Sequence, residues 1–529
     1  MALLKIKLKN YKKIKNSEIL FNEKRNIFVG ENGVGKSSIL TAISQVLSGS
    51  YSNIETLGFQ SLFNSDIISE FMESDRKYED LPLLSVELYI NEGIENHLIN
   101  GIHNSDNQVV NGLKMIIIPN DDLSTEIKES LVKTEIFPFE FYKLDFRTFS
   151  DKSYNSYAKY KGFIKYTLLD STKISSNYAI KDYISRIYVS QSDVGKRQLI
   201  NNAYRDTTHI FSEKLYEEYN LNHSPDEYKV VLNSQGEESF KENITVQKNG
   251  IDIKNMGQGE KIFINTDFSL TNAPEDVSIV LIEEPENHLS YVNMHKLIDK
   301  ITATSDKQTF VTTHSNMITS RLDLNNAIFI SEDNHTNLSS LSKDTANFFK
   351  KSPDTSVLNF ILAKKSILVE GDAEYILLDD FYKNTYDTDM YLDNITLISC
   401  GGKTFKRYIE LAQILKKKTS IITDNDKDFT NNITENYKDV ISDNICVFSD
   451  TNNDLYTFEV ALYYDNENFF ESNIKSSNMR NGVLSFMLDN KAEAAFRLLK
   501  VINDEENKHY DNFVIPKYIK DAFEWIRLL

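Results

Sequence analysis

The stretch Gly30-Glu-Asn32-Gly33-Val-Gly35-Lys36-Ser37-Ser38 follows an apolar run, Asn26 to Val29, and leads into a segment with Ile39, Leu40, Ile43, Val46 and Leu47 at helical spacing. The order is strand, glycine-rich loop, amphipathic helix, and it matches G-x-x-x-x-G-K-[ST]. Glycines let backbone N–H groups curl round phosphate oxygens, and the following helix adds the positive end of its dipole. In that arrangement Lys36 supplies a cation to the outer phosphates of ATP and the Ser37 hydroxyl ligates Mg²⁺, with Asn32, Gly33, Gly35 and Ser38 completing the cradle. A glycine turn without a ligand is the bland alternative, and the flanking strand and helix argue against it.

At 529 residues the chain exceeds what one hydrophobic core holds, so two or more domains are expected. Forty per cent hydrophobic and 26% charged residues are ordinary for globular chains. No run approaches the roughly eighteen uncharged apolar residues that span a bilayer, so no membrane role is expected. The N-terminus interleaves lysine with aliphatics and lacks the apolar core of a signal peptide. With only Cys400 and Cys446, neither a disulfide framework nor a thiolate zinc site is available, which points to a reducing cytoplasm. The formal charge of −19 argues against a chain coated in basic patches for non-specific nucleic-acid binding, though a local basic groove beside a carboxylate cluster remains compatible with it.

Strand patterns recur along the chain. At the start Leu4, Ile6 and Leu8 alternate with Lys5, Lys7 and Lys9. Residues 85–90, 114–119 and 227–232 read as strands and 174–190 as partly helical, but the fold of 50–250 is not legible. From 277 the signals sharpen: 277–286 is a buried strand ending in acids, followed by strands at 308–315 and 325–331. The pattern restarts near 355, with apolar strands at 365–371, 394–402 and 419–426 ending in Gly or Asp. Strands alternating with helices predict α/β architecture, with functional groups at the carboxyl ends of parallel strands. A composition shift at 350–360 marks the expected boundary between a first domain, 1–355, and a second, 356–529.

At the end of the 277–286 strand, Glu283 is placed to hold Mg²⁺ through water and Glu284 to polarise an attacking water. His314, in Val311-Thr-Thr-His-Ser, ends the next strand where an imidazole can reach a γ-phosphate. A solvated EEPE turn and a structural histidine are the alternatives. These blocks, with the Ile6-x-Leu8-x-Asn10-Tyr11-x-x-Ile14 opening, resemble the ATP-binding-cassette ATPases of the SMC and RecF type. The resemblance implies a nucleotide sandwiched between two copies, with a signature loop acting in trans. Here that loop would be Asn255-Met-Gly257-Gln-Gly259, which departs from the usual Ser-Gly-Gly order. It also implies an inserted dimerisation element within 130–245 and an assembly of at least two copies, dimer or tetramer.

A second constellation follows. Glu370 ends a strand and Glu374 sits in the next helix's first turn, while Asp424 and Asp426 end another strand two residues apart. In an extended segment such side chains share a face. Crowded carboxylates call for hard divalent ions, Mg²⁺ or Mn²⁺. The ordered set EGxxE, GGK, DxD resembles the Toprim domain, a Rossmann-like fold. Joined to the ATPase blocks, it makes the chain similar to the OLD (overcoming lysogenization defect) family of ATPase–Toprim nucleases. The resemblance implies that Glu370, Glu374, Asp424, Asp426 and Glu459 are metal ligands and that Lys491 stabilises a pentavalent phosphate. Asp372 and Asp428 are neighbouring acids that assist or are merely solvated, and 514–526 is a packing helix. Lys403, Lys406, Arg407, Lys416, Lys417 and Lys418 form either a phosphate-contacting rim, best represented by Lys403, or the solvated face of a helix.

The expected function is an ATP-regulated, metal-dependent DNA endonuclease or nickase, as in Gabija-type or retron-associated anti-phage defence. A helicase, or a reverse transcriptase with its nucleic acid, is a possible partner. The alternative is a DNA-binding ATPase clamp with a non-catalytic Toprim scaffold. A topoisomerase or primase is disfavoured, because no DNA-breakage domain is identifiable and no Cys-rich zinc module can be built.

Overall fold

The structure is a computed structural model. It describes residues 2–91, 97–158, 164–170, 181, 184–185, 187–189, 191–218, 232, 240–241, 243–271, 277–304, 306–332, 334–352, 356–402, 404–476, 479, 481–503 and 513–528. Most of 174–190 and of 227–232, for which a partial helix and a strand are expected, lies outside the described residues. The chain forms two compact units: one comprises Met1–Phe28 with Gly33–His314, the other Val29–Asn32 with Ser315–Leu529.

The first unit contains an antiparallel sheet built from β1 (Leu3–Tyr11), β2 (Ile14–Leu20), β4 (Leu84–Ile90), β5 (Val110–Pro119) and β6 (Tyr142–Thr148), in the order β2-β1-β4-β5, with β6 pairing to β5. In β1 the alternation holds for Ile6 and Leu8, which are buried, but Leu4 is 45% exposed. A register shift against β4 between Leu3 and Lys5 turns Leu3 inward instead. On the outer face Lys5 and Lys7 both pair with Glu18 and Asp106.

Four parallel strands of a six-stranded sheet carry the nucleotide loop: β7 (Lys165–Asp170), β8 (Val277–Glu283), β9 (Gln308–Thr312) and β3 (Arg25–Val29), paired in that order; β10 (Ala327–Ile330) and β11 (His335–Asn337) pair antiparallel. Ile279, Val280, Leu281, Phe310, Val311, Ile27 and Phe28 are almost fully buried, as central parallel strands covered on both faces require. Three helices belong to this part: α1 (Lys36–Ser48), α3 (Gln258–Thr271) and α4 (Tyr291–Ala303). Ile39, Leu40, Ile43, Val46 and Leu47 line the buried face of α1, as their spacing predicts. Helix α2 (Val194–Glu217) lies within the expected insertion.

The second unit has a four-stranded parallel sheet, order β13-β12-β14-β15, from β12 (Lys365–Val369), β13 (Ile395–Ser399), β14 (Lys418–Ile422) and β15 (Ile445–Phe448). Its helices include α5 (Lys343–Lys351), α6 (Val357–Leu362), α7 (Asp372–Tyr386), α8 (Phe405–Leu415), α9 (Phe458–Asp465), α10 (Lys491–Ile502) and α11 (Lys517–Arg527). Leu377, Phe381, Tyr382, Phe458, Leu498, Ile519 and Phe523 form one core cluster, so the terminal helix α11 packs the unit as expected. The unit begins at Ser315, ahead of the composition shift at 350–360. Hydrogen bonds explain this: Glu410 on α8 accepts from the Ser342 backbone and from the Ser342 and Thr345 hydroxyls, tying the start of α5 to the second unit.

Among the described residues no helix is long and apolar enough to cross a membrane.

Candidate functional sites

At the glycine-rich loop, Gly33 has φ +81° and Gly35 φ +108°, left-handed conformations that glycine adopts without penalty. Gly35 is the N-cap of α1 and no side chain caps that end, so the first N–H groups of the helix face the loop rather than a capping oxygen. Lys36 is 4% exposed and Ser37 half-buried. This combination fits a triphosphate: uncapped backbone donors, a helix N-terminus and one sequestered cation. Lys13 adds to it, since a Cβ placed on Gly33 would lie 3.1 Å from the Lys13 ammonium. The lysine pair in the turn between β1 and β2 was the available signal for this neighbour, and motif reading passes over it.

Glu283 ends β8, in register with Thr312 of β9 and Asp170 of β7. Glu284 follows with φ +43°, strained for a non-glycine residue. Its N–H donates to the Thr312 carbonyl (3.0 Å), and its Oε2 accepts from Asn287 Nδ2 (3.0 Å). The His314 Nε2 lies 3.6 Å from Glu284 Oε1. Burial, then the charge of Lys36, push the imidazole pKa below its ordinary value, against the pull of Glu284, so His314 is neutral near pH 7. Lys36, Glu284 and His314 therefore occupy one neighbourhood.

Sequence reading missed Glu286. Its Oε1 accepts from the Thr313 hydroxyl (2.7 Å) and the His314 N–H (2.5 Å), fixing the turn that presents the imidazole. Burial raises its pKa, opposed by those two hydrogen bonds. The third acid of EEPE was visible; its partners, 27 and 28 residues further along the chain, were not, because only the β8–β9 pairing brings them together. Gly259 is a close-approach glycine, where a Cβ would come within 2.0 Å of the His288 carbonyl oxygen. Around Gly257 the space is open.

In the second unit the acids stand at the carboxyl ends of the parallel strands. Glu370 follows β12; its Oε1 accepts from the Thr423 hydroxyl (2.5 Å) and the Asp424 N–H (3.3 Å). Gly401 and Gly402, both with positive φ, make the turn after β13, and the Gly402 N–H donates to the Glu370 carbonyl (2.7 Å). Glu374, in the first turn of α7, is 7% exposed and Glu459, in the first turn of α9, 2%. Asp424 Oδ1 accepts from the Phe458 N–H (2.8 Å), joining the end of β14 to the start of α9. Lys491 donates to Glu459 Oε2 (2.9 Å), while Glu459 Oε1 is buried without a hydrogen-bond partner among the described residues.

Burial, then the charges of Glu370, Glu374 and Glu459, push the Asp424 carboxyl up to about 8. Glu374 is raised to about 7, by burial first and then by Glu459 and Glu370. For Lys491, burial works against the ammonium, but the hydrogen bond and charge of Glu459, with Asp424 and Glu374, outweigh it and raise its pKa. The structure thus brings Glu370, Glu374, Asp424, Glu459 and Lys491 into one electrostatic neighbourhood. Even so, among the described residues no three ligating side chains stand close enough together to hold a metal ion as placed. The donor set is nonetheless all carboxylate, with one buried oxygen unsatisfied, which suits a hard divalent cation.

Asp426 differs from expectation in geometry. Strand β14 stops at Ile422, so alternation no longer applies; Asp426 sits on an exposed turn with φ +48°, followed by Lys427 at φ +70°. Asp372 is exposed, and Asp428 accepts from Asn431 within its own turn. Of the basic residues, Lys403 lies outside the described residues and Lys406 is exposed. Lys417 departs from both readings: it is 6% exposed and its ammonium is held by the carbonyls of Phe360 (2.6 Å), Ile361 (2.8 Å) and Ala363 at the C-terminal end of α6. A cation there complements the helix dipole, a structural role. Arg407 donates to the Thr345 hydroxyl (3.0 Å), and Lys418 lies over the Trp525 ring. Tyr518 of α11 is buried beside the acids: its phenol is pushed well above its ordinary pKa by burial, then by Asp424, Glu374, Asp450 and Glu459.

The two sites fit a class of protein in which an ATPase domain is followed by a TOPRIM domain. The chain belongs to the AAA ATPase domain family, whose model matches residues 1–319, and residues 361–426 match the TOPRIM domain of overcoming lysogenization defect protein-like proteins. It is 44% identical over 66 residues to the DNA replication and repair protein RecF of Parabacteroides distasonis, a match spanning 12% of this chain and 18% of that protein. Among solved structures, an SMC head bound to the C-winged helix domain of ScpA is 16% identical, with TM-score 0.36, over 65% of this chain and 100% of that one. The C-terminal region of the Burkholderia pseudomallei OLD protein is 22% identical, with TM-score 0.23, over 31% of this chain and 98% of that one.

Proposed function

We propose that this chain is an ATP-regulated, divalent-metal-dependent DNA endonuclease or nickase that acts as a homo-oligomer in anti-phage defence. The observation that carries the reading is the buried carboxylate neighbourhood of Glu370, Glu374, Asp424 and Glu459 at the strand ends of an OLD-like TOPRIM domain. Burial, then the neighbouring carboxylates, raise two of these acids far above the ordinary carboxylate range, a cost that persists at functional sites and that Mg²⁺ or Mn²⁺ would relieve. A bound divalent ion supplies charge neutralisation at the scissile phosphate and a more acidic water. Glu370, Asp424 and Glu459 would hold it, with Glu374 and Asp426 closing round it. Lys491, half-exposed beside Glu459, is placed to meet the negative charge that develops on phosphate.

The Gly30–Ser38 loop with Lys36 would bind ATP, with Ser37 and Glu283 on Mg²⁺, Glu284 orienting water and His314 at the γ-phosphate. Gly257, in open space, would be free to meet a nucleotide held by a second copy. The second reading, an ATPase clamp with a TOPRIM scaffold that does not cut, draws on the exposed Asp426 turn and on the unassembled ligand set. Supercoiled plasmid incubated with Mg²⁺ or Mn²⁺, with and without ATP, decides between them. Nicked or linear product is expected; unchanged plasmid under every condition would favour the clamp.

A further inference from the structure

Between the two aspartates lies Asn425, which is 1% exposed. Its Nδ2 donates to three backbone carbonyls, Asp450 (2.8 Å), Asn452 (3.0 Å) and Leu455 (3.4 Å). Its Oδ1 accepts from the Lys427 N–H (2.8 Å), and its own carbonyl accepts from the Asp428 N–H (3.0 Å) and Asn432 Nδ2 (2.9 Å). Around this hub the turn and the loop before α9 are joined further. The Asp426 N–H donates to the Tyr456 carbonyl (3.1 Å), the Phe429 N–H to Asn453 Oδ1 (2.9 Å), and the Lys427 ammonium lies 4.3 Å from the Tyr456 ring centroid. The loop so clamped runs directly into Phe458, whose N–H holds Asp424, and Glu459.

Two consecutive non-glycine residues with positive φ, Asp426 and Lys427, persist only where surrounding structure over-determines them. An asparagine is required for that task. It offers donors to the carbonyl group and an acceptor to Lys427, whereas aspartate lacks the donors and leucine both.

We infer that Asn425 is a positioning residue that sets Asp424 against Glu459 by clamping the 424–429 turn to the 450–458 loop. The inference rests on the proposed metal site and deepens it: the acids arrive from two loops, and one buried amide fixes their relative placement. Residues that orient metal ligands from behind change metal affinity by roughly 10–100-fold when removed.

The test uses the full chain, with Mn²⁺ alone in binding titrations and Mn²⁺-dependent nicking of supercoiled plasmid, for wild type, Asn425→Ala and Asn425→Asp. Nucleotide binding at the Lys36 loop and thermal unfolding report folding. The expected result is a half-saturating Mn²⁺ concentration raised roughly 10–100-fold in both variants, with nicking at saturating Mn²⁺ largely recovered in Asn425→Ala. A merely structural role would lower the plateau and the melting temperature while leaving half-saturation unchanged, and that result overturns the inference. If the wild type itself binds no Mn²⁺ and cuts nothing, the underlying metal-site reading falls and takes the inference with it. Wild-type cutting with unshifted variants removes the inference alone.

Discussion

At the Gly30–Ser38 loop a ligand's negative charge would be met by backbone N–H groups, a helix N-terminus and the buried Lys36; in the second unit four buried or half-buried carboxylates share one neighbourhood with Lys491. Apart from Lys36, the donors of the first site belong to the backbone, which turns through glycine conformations at Gly33 and Gly35. The second holds carboxyls out of water and beside one another at a cost, visible in Asp424 pushed up to about 8 and Glu374 to about 7, by burial first and then by neighbouring acids. Complementary positive charge must come from outside. On the proposed reading one region receives an anion and the other a cation, so different perturbations should damage them.

The largest expected effects separate the two. Lys36→Ala should lower ATP hydrolysis by on the order of 10²–10³-fold while leaving Mn²⁺ titration of the second unit unaltered; Asp424→Asn should do the converse, removing nicking on that scale and sparing ATP hydrolysis. Parallel loss of both activities in either variant would break the comparison. Next, Glu284→Gln should slow hydrolysis about 100-fold with nucleotide affinity retained, measured by single-turnover kinetics beside equilibrium binding. Weakened binding instead would place Glu284 outside the chemistry.

A smaller effect sharpens the reading of the glycines near EEPE. Gly259→Ala puts a Cβ within 2.0 Å of the His288 carbonyl oxygen and should destabilise by about 1–3 kcal/mol, whereas Gly257→Ala, in open space, should stay within about 0.5 kcal/mol in denaturant titrations. The smallest effect is the pH dependence. Asp424 and Glu374 hold protons in the folded chain that the unfolded chain releases near pH 4. Their contribution to stability is thus full below about pH 4 and is lost as pH rises through about 7 and 8. A cation that takes the place of those protons should therefore raise the melting temperature more at pH 8.5 than at pH 6. A shift independent of pH would separate the ion from these two acids.

The first site was more legible in sequence than the second for a physical reason. Phosphate binding by backbone demands closely spaced glycines next to a helix, so Gly33, Gly35, Lys36 and the buried face of α1 all follow from one short motif. Several parallel strands were also legible, since they are unbroken apolar runs, but Lys165–Asp170 and Ile445–Phe448 were not read as strands. The acids at the strand ends could be found, but not what sets their geometry. Asp426 was placed by strand alternation, which β14 abandons at Ile422. Asn425 and Glu286 act through partners on other segments, and Lys417 looks like any helix-end lysine until α6 brings three carbonyls to it. Leu4 was misplaced because a register shift against β4 leaves no mark in composition.

The most direct test of the second site is anomalous diffraction from crystals of the full chain grown with Mn²⁺. A manganese peak within coordination distance of Glu370, Asp424 and Glu459 is the predicted result. Saturating Mn²⁺ with no peak among these acids, or a peak bound only elsewhere, would contradict it.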